Sequence, residues 1–406
     1  IDCLALAIQQ GGTVVGGDLE GIAANELQRQ IARILDNNKG GTGPLSNLFN
    51  EIAGLGSVGA QQAALQELGG SFVGLEIGSL MNVINIQAFN VDHRLNAVHR
   101  HGPAITWVND RAPQFVYDAE EPDAYANAAM EPGYGLGRPS TEDRWGYFAL
   151  GAFSFGEHDD RTNQIGGDYD SLGNTMGVDY KASSSLLLGL AGGYTYNEID
   201  YNDGSDLTSD TWTAAGYGTL FMTDKIFVDA MVSYGVTQIQ TERRVTVGAI
   251  TDTANADVDG NVFSTKLRLV HEERCGHWAF GPEFQARYIR VDLDSYTESG
   301  AGAMSLIVDE QSADSLTTQL GAHVAYDHDV FDVPVVPYAT ARWVHEFKDD
   351  ERRVTTAFAG APGTPFDTPT DGPDRDYIKT TVGATVMFTK SMRGYLDYSR
   401  VFGHSY

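Results

Sequence analysis

The sequence is short of cysteine, of positive charge and of long apolar runs, and each shortage excludes a class of protein. Two cysteines in 406 residues, Cys3 and Cys275, are too few for a disulfide framework. They lie in segments of different character, so no bond between them is expected. Lys and Arg total 27 against 55 Asp and Glu, a formal net charge of −28. Such a chain has no basic surface to neutralise phosphates, so nucleic acid is not an expected partner. The one apolar stretch long enough to discuss, Phe72 to Phe89, carries Glu76, Asn82, Asn85 and Gln87. Each is costly in lipid, so no membrane-crossing helix is expected. Strands remain open as a way across, because a membrane barrel hides its apolar surface in alternation. The chain opens at Ile1 with neither a basic nor an apolar leader region, as expected of a processed or truncated product.

Catalytic signatures are also missing. There is no G-x-S-x-G, no H-E-x-x-H, no cysteine pair at metal spacing and no glycine loop opening a helix after a strand. "HEFKD" at His345 and "HEERC" at His271 each lack a second histidine and read as strand segments. No enzyme, cofactor or metal is expected. His93, His99 and His101 cluster late in a helical stretch, but His93 and His101 are too far apart to share a turn. In "NADVDGNVFSTK", Asn255, Asp257, Asp259 and Gly260 match the start of a calcium loop. Its twelfth position is Lys266, which repels a cation, so the match reads as a hairpin turn in an acidic loop.

What is present is a change of period near residue 140. Upstream, Leu27, Ile31, Ile34 and Leu35 follow Asp18, a candidate cap, and Pro44 opens a short helix with Leu45, Leu48, Phe49 and Ile52. Asn37-Asn38 beside Gly40-Gly41 marks a turn. Val73, Ile77, Leu80, Ile84, Ala88, Val91, Leu95 and Val98 draw one stripe down a long helix that ends before Gly102-Pro103. An acidic segment with "DAEEPDAY" follows. The division is thus a helical region 1–102, an irregular linker 103–141 and a β-region 142–406.

From Arg144 the period is two. Ile226, Val228, Ala230, Val232, Tyr234 and Val236 alternate with Asp229, Ser233 and Gly235. Phe280, Phe284 and Tyr288 alternate with Glu283, Gln285 and Arg287. Short joints (Thr223-Asp224-Lys225, Cys275-Gly276-His277, Lys390-Ser391-Met392) take turns with long polar ones at Asn197–Thr208, Thr246–Asn261, Glu298–Ser315 and Lys348–Tyr377. Aromatics gather near strand ends: Tyr147, Phe153, Phe155, Tyr194, Tyr196, Tyr201, Tyr395 and Tyr398. This pattern favours an antiparallel up-and-down transmembrane β-barrel over a soluble sandwich. The polar face is charged, with Lys266, Arg268, Glu283, Arg287, Arg342 and Glu346 beside His323, as a wet or helix-filled lumen tolerates.

"DRWGYFALGAFSFGEHD", "TMGVDYKASSSLLLGLAGGYTYNEIDY", "VPYATARWVHEFKDDERR" and "GPDRDYIKTTVGATVMF" resemble successive strands of the autotransporter β-domain, the translocator of type V secretion in Gram-negative bacteria. The resemblance covers about residues 140–406. It implies a barrel of about twelve strands, of which about eleven are visible here, threaded by a helix that tethers an exported passenger. "LQELGGSFVGLEIGSLMNVINIQAFNVDHRLNAVHRHG" is similar to the family's lumen helix, so Asn90, Asp92, Arg94, Asn96 and Arg100 are expected to face the wall and to shut the pore with it. Outer-membrane lipids, the barrel assembly machinery and the passenger are the implied partners. "MRGYLDYSRVFGHSY" stops where a turn and a last strand are expected. Some relatives cleave their helix at an adjacent asparagine pair; Asn90 and Asn96 are not adjacent, so no cleavage is expected. A porin-like channel and an adhesive surface protein are the competing readings.

Overall fold

The computed structural model describes residues 18–70, 73–101, 144–158, 160–161, 163–331, 333–388 and 393–403. Cys3, the acidic linker, the Lys390-Ser391-Met392 joint and Tyr406 lie outside the described residues, as do the side chains of Arg100 and His101.

Four helices come first: α1 (Glu26–Asn37), α2 (Pro44–Ala53), α3 (Val58–Leu68) and α4 (Leu75–His101). The cap of α1 is Asn25, not Asp18. Asn25 has the extended backbone a cap needs, and its side chain accepts from the Gln28 amide at 2.8 Å. Asp18 instead holds Lys39 at 2.9 Å. Pro44 does open α2, and Gly40 turns the chain between α1 and α2 at φ +78°. Every residue of the α4 stripe from Val73 to Val98 is buried. At about 1.5 Å per residue its 27 residues reach roughly 40 Å, the height of a membrane wall.

The β-region is one antiparallel sheet with eleven strands along its path: β1 (Trp145–His158), β2 (Gly167–Lys181), β3 (Leu186–Tyr201), β4 (Asp206–Phe221), β5 (Ile226–Val247), β6 (Ile250–His271), β7 (Trp278–Leu293), β8 (Gln311–Tyr326), β9 (Val333–Glu346), β10 (Asp376–Met387) and β11 (Arg393–Phe402). Each strand pairs with its neighbour in sequence, and the sheet curls into a trough around α4. Alternation decides which side faces in. On β5, Phe227, Asp229, Met231 and Ser233 are buried, while Val232, Tyr234 and Val236 stand out. Leu190 is 68% exposed and Trp212 64% exposed, and Leu320 and Val382 share that outer face. No second layer of the described chain covers this apolar belt, which is what a lipid-facing wall requires.

Three expectations change. The stretch Thr246–Asn261 is no loop: β5 and β6 pair without a break from Ile226↔His271 to Val247↔Ile250, around a tight turn at Gly248. The calcium-like "NADVDGNVFSTK" therefore lies inside a continuous strand, because its residues alternate in register with β5. Tyr201 and Tyr395, two of the aromatics expected near strand ends on a lipid-facing wall, do not face outward either. Tyr201 is buried in the apolar core, and Tyr395 turns inward to donate to Asn90 Oδ1 at 3.1 Å.

The long joints build structure of their own. Segments Tyr296–Thr297, Leu306–Val308, Arg352–Phe358 and Phe366–Thr370 form a second, four-stranded sheet. It shares one apolar core with α1–α3, the start of α4 and the loop ends of β3–β7, through residues such as Leu35, Leu65, Val245, Leu306 and Phe358. A buried ion pair braces it: Arg243 donates to both carboxylate oxygens of Glu298 at 2.8 and 2.7 Å. Thr368 Oγ1 donates to the Gly69 carbonyl at 2.7 Å, and the Ala249 amide donates to Glu51 Oε1 at 2.9 Å. The α1–α3 cap is thus tied to the loop end of the sheet.

Candidate functional site

The site is the contact between α4 and the inner wall. Its direction is set at both ends. Near its start, Ser79 Oγ accepts from Asn197 Nδ2 at 2.9 Å, and Glu76 accepts from Tyr296 Oη at 2.7 Å, both at the loop end. Near its finish, His99 Nε2 lies 3.0 Å from Thr219 Oγ1, and its ring packs on Phe227, both at the end with short turns. The helix packs against β1 to β7.

Small residues let it come that close. A Cβ on Gly173 would stand 2.5 Å from Ile86 Cγ2, and one on Gly146 would stand 2.5 Å from Arg94 Nη2. Polar groups then pair across the interface, because a charge buried without a partner is costly. Arg94 takes Asp179, and Tyr217 Oη adds a bond to that carboxylate at 3.2 Å. Asp92 pairs with Lys266. Asn96 Oδ1 accepts from Arg268 Nη2 at 2.8 Å, while Arg268 also donates to Asp229 at 2.7 Å. His99 Nε2 lies 3.1 Å from the same Asp229. Asn90 donates to Thr175 Oγ1 at 3.1 Å, and Arg287 reaches Asn85 Oδ1.

Of the expected residues, Asn90, Asp92, Arg94, Asn96, Lys266, Arg268 and Arg287 thus meet across this interface. Glu283 and Arg342 pair with each other at 2.5 Å. His323 faces Glu272 at 3.4 Å, and Glu346 accepts from the Leu316 amide at 2.8 Å, both away from α4. His93 stacks on Tyr395, apart from His99, so the two do not converge. Sequence reasoning missed Asp179 and Tyr217 as wall partners and did not assign Asp229 a role. Asp229 already lay on the polar face of an alternating strand, which was the available signal. Among the described residues, a cavity of about 2400 Å³ lies beside α4.

A curled antiparallel sheet, apolar outside and charged inside around a helix, defines a membrane β-barrel domain. Residues 148–399 match the Autotransporter beta-domain family, and the chain belongs to that family. It is an outer-membrane translocator and anchor domain. The translocator domain of autotransporter NalP from Neisseria meningitidis shares its fold, with a TM-score of 0.51 at 16% identity over 64% of this chain and 83% of that one. An uncharacterised Pseudomonas putida protein from a trpE-trpG intergenic region is 26% identical over 51% of this chain and 36% of its own length. Esterase EstA of Pseudomonas aeruginosa is 23% identical over 55% of this chain and 35% of its own. The chain thus spans about a third of the length of these curated relatives.

Proposed function

We propose that this barrel exports and then tethers a passenger joined to its N-terminal side, with α4 as the tether, and that the barrel itself performs no chemistry. The direction of α4 carries this reading. Its first turns lie at the loop end, beside Tyr296 and Asn197, and its last lie at the turn end, beside Thr219. In an up-and-down outer-membrane barrel the long loops face outward. Chain preceding residue 75 is then outside the cell, and α1–α3 cap the outer mouth. In functional terms 1–102 is tether and cap, 103–141 the link back, and 142–406 the wall. Lipid surrounds the apolar belt, and assembly passes through the barrel assembly machinery. Esterase activity, given by name to EstA, is not carried over: the aligned part is about a third of that protein, and this chain lacks G-x-S-x-G.

The test is an epitope joined ahead of Ile1 and probed on intact cells. Labelling without permeabilisation supports export; labelling only after permeabilisation removes it. Deleting residues 75–101 supplies a second readout, a several-fold rise in single-channel conductance in planar bilayers. Unchanged conductance would deny α4 its place in the lumen.

A further inference from the structure

The cavity beside α4 has a chemistry of its own. It is lined by the helix and by residues of β1 to β3 and β5 to β11, over the full height of the sheet. At the turn end stand Glu272 and Met387, at the loop end Asp350 and Asp371. In the loop-side half, three cations face it from nearby strands: Arg287 on β7, Arg342 on β9 and Lys379 on β10. Arg342 and Lys379 are direct cross-strand partners, a position where like charges repel. Two carboxylates stand against the three: Glu283, held by Arg342, and Asp92, which acts on Arg287 but is already paired with Lys266.

Three other lumen cations are matched. Lys266 has Asp92, Arg268 has Asp229 and Arg94 has Asp179. The cavity group is different. Arg287 is directed at the neutral Asn85, and its buried Nε has no hydrogen-bond partner among the described residues. The charged side chains acting on Lys379 are Arg342 and Arg287, both cations. A local surplus of positive charge in a chain of net charge −28 runs against the composition. A buried unpaired donor also costs free energy until something accepts from it.

We propose that Arg287, Arg342 and Lys379 form a binding site for a small inorganic anion, and that the lane beside α4 conducts anions in preference to cations. Guanidinium and ammonium groups donate charge-assisted bonds to such anions. A pore wall lined by Arg and Lys selects for them, and a cleft of one sign concentrates them. This inference rests on the membrane-barrel reading.

The experiment uses the full chain in planar bilayers under a KCl gradient, with inorganic phosphate as the added probe. The reversal potential is expected on the chloride side, and phosphate is expected to block the current. Lys379→Gln shifts the reversal potential toward potassium and loses the phosphate block, while Lys379→Arg keeps both. Lys225→Gln, at a short turn outside the lumen, changes neither. Cation selectivity in the unaltered chain, an unchanged reversal potential in Lys379→Gln, or no current at all would each overturn the site. Heat-modifiable gel migration, recorded on the same samples, reports the barrel separately; its absence would count against the membrane reading instead.

Discussion

Arg94 of α4 grips Asp179 of β2 through two hydrogen bonds, from Nε at 2.7 Å and from Nη2 at 2.9 Å. Both side chains are buried, the arginine at 3% exposure and the aspartate at 0%. Bidentate geometry fixes the rotation of the helix as well as its depth.

Breaking that pair leaves an uncompensated charge in the lumen. Asp179→Ala is expected to destabilise the seated helix by about 3–5 kcal/mol, and replacing Arg94 by Met at the same time should recover most of the loss. Denaturant midpoints of the two variants, read by gel mobility without boiling, check this. A double variant no better than the single one would show that the pair does not seat α4.

Gly173 is one of two glycines that let the helix come close to the wall. Gly173→Val should overpack the contact with Ile86, costing about 1–3 kcal/mol, and should push α4 outward and raise conductance. Adding Ile86→Ala vacates the clashing methyl, so conductance should return toward the starting level. Failure of the second change to compensate would place the contact elsewhere.

The outer belt predicts the opposite kind of sensitivity. Leu190 faces outward on β3, and Leu190→Arg should cost about 2–4 kcal/mol of folding free energy in vesicles if it lies near the bilayer midplane. Folding yields into vesicles, compared with those in detergent, measure it. A penalty equal in both media would argue against lipid contact.

Docking of the α1–α3 cap should depend on pH through Glu67 of α3, which lies outside the wall. Burial pushes its carboxyl above the usual glutamate range, and the Asp203 carboxylate nearby adds to the rise. The folded state therefore holds this proton more tightly than the unfolded state. The stability it contributes is full below the unfolded value and is lost as pH rises through the folded one. Protection factors along α3, taken relative to the intrinsic exchange rate at each pH, should be higher at mildly acid than at neutral pH, and Glu67→Gln should flatten the difference. An unchanged pH dependence in that variant would assign it to another group.

Much of this was written locally. Period-two alternation from Arg144 onward needs only the pleat of each strand, so Val232, Leu320 and Val382 could be assigned to one face and Asp229, Glu283 and Arg287 to the other. The α4 stripe was likewise legible, because helical period repeats within a few residues. Where the chain would pair with itself over distance was not. The stretch Thr246–Asn261 reads as polar loop, yet the register of β5 carries it into a continuous ribbon.

The sequence alone determined a barrel wall with a greasy side, a charged side and a long amphipathic helix, since each follows from the spacing of neighbouring residues. Only the tertiary structure decided which partners meet. Arg94 finds Asp179 across 85 residues, and Tyr395 turns in rather than out. The side of the lumen that α4 occupies sets Asp92, Arg94 and Asn96 against wall partners and leaves Arg342 and Lys379 facing the cavity beside it. Those outcomes depend on the curl of the sheet and on how closely Gly146 and Gly173 admit the helix. Curl and approach are properties of the whole assembly that no local run of residues encodes.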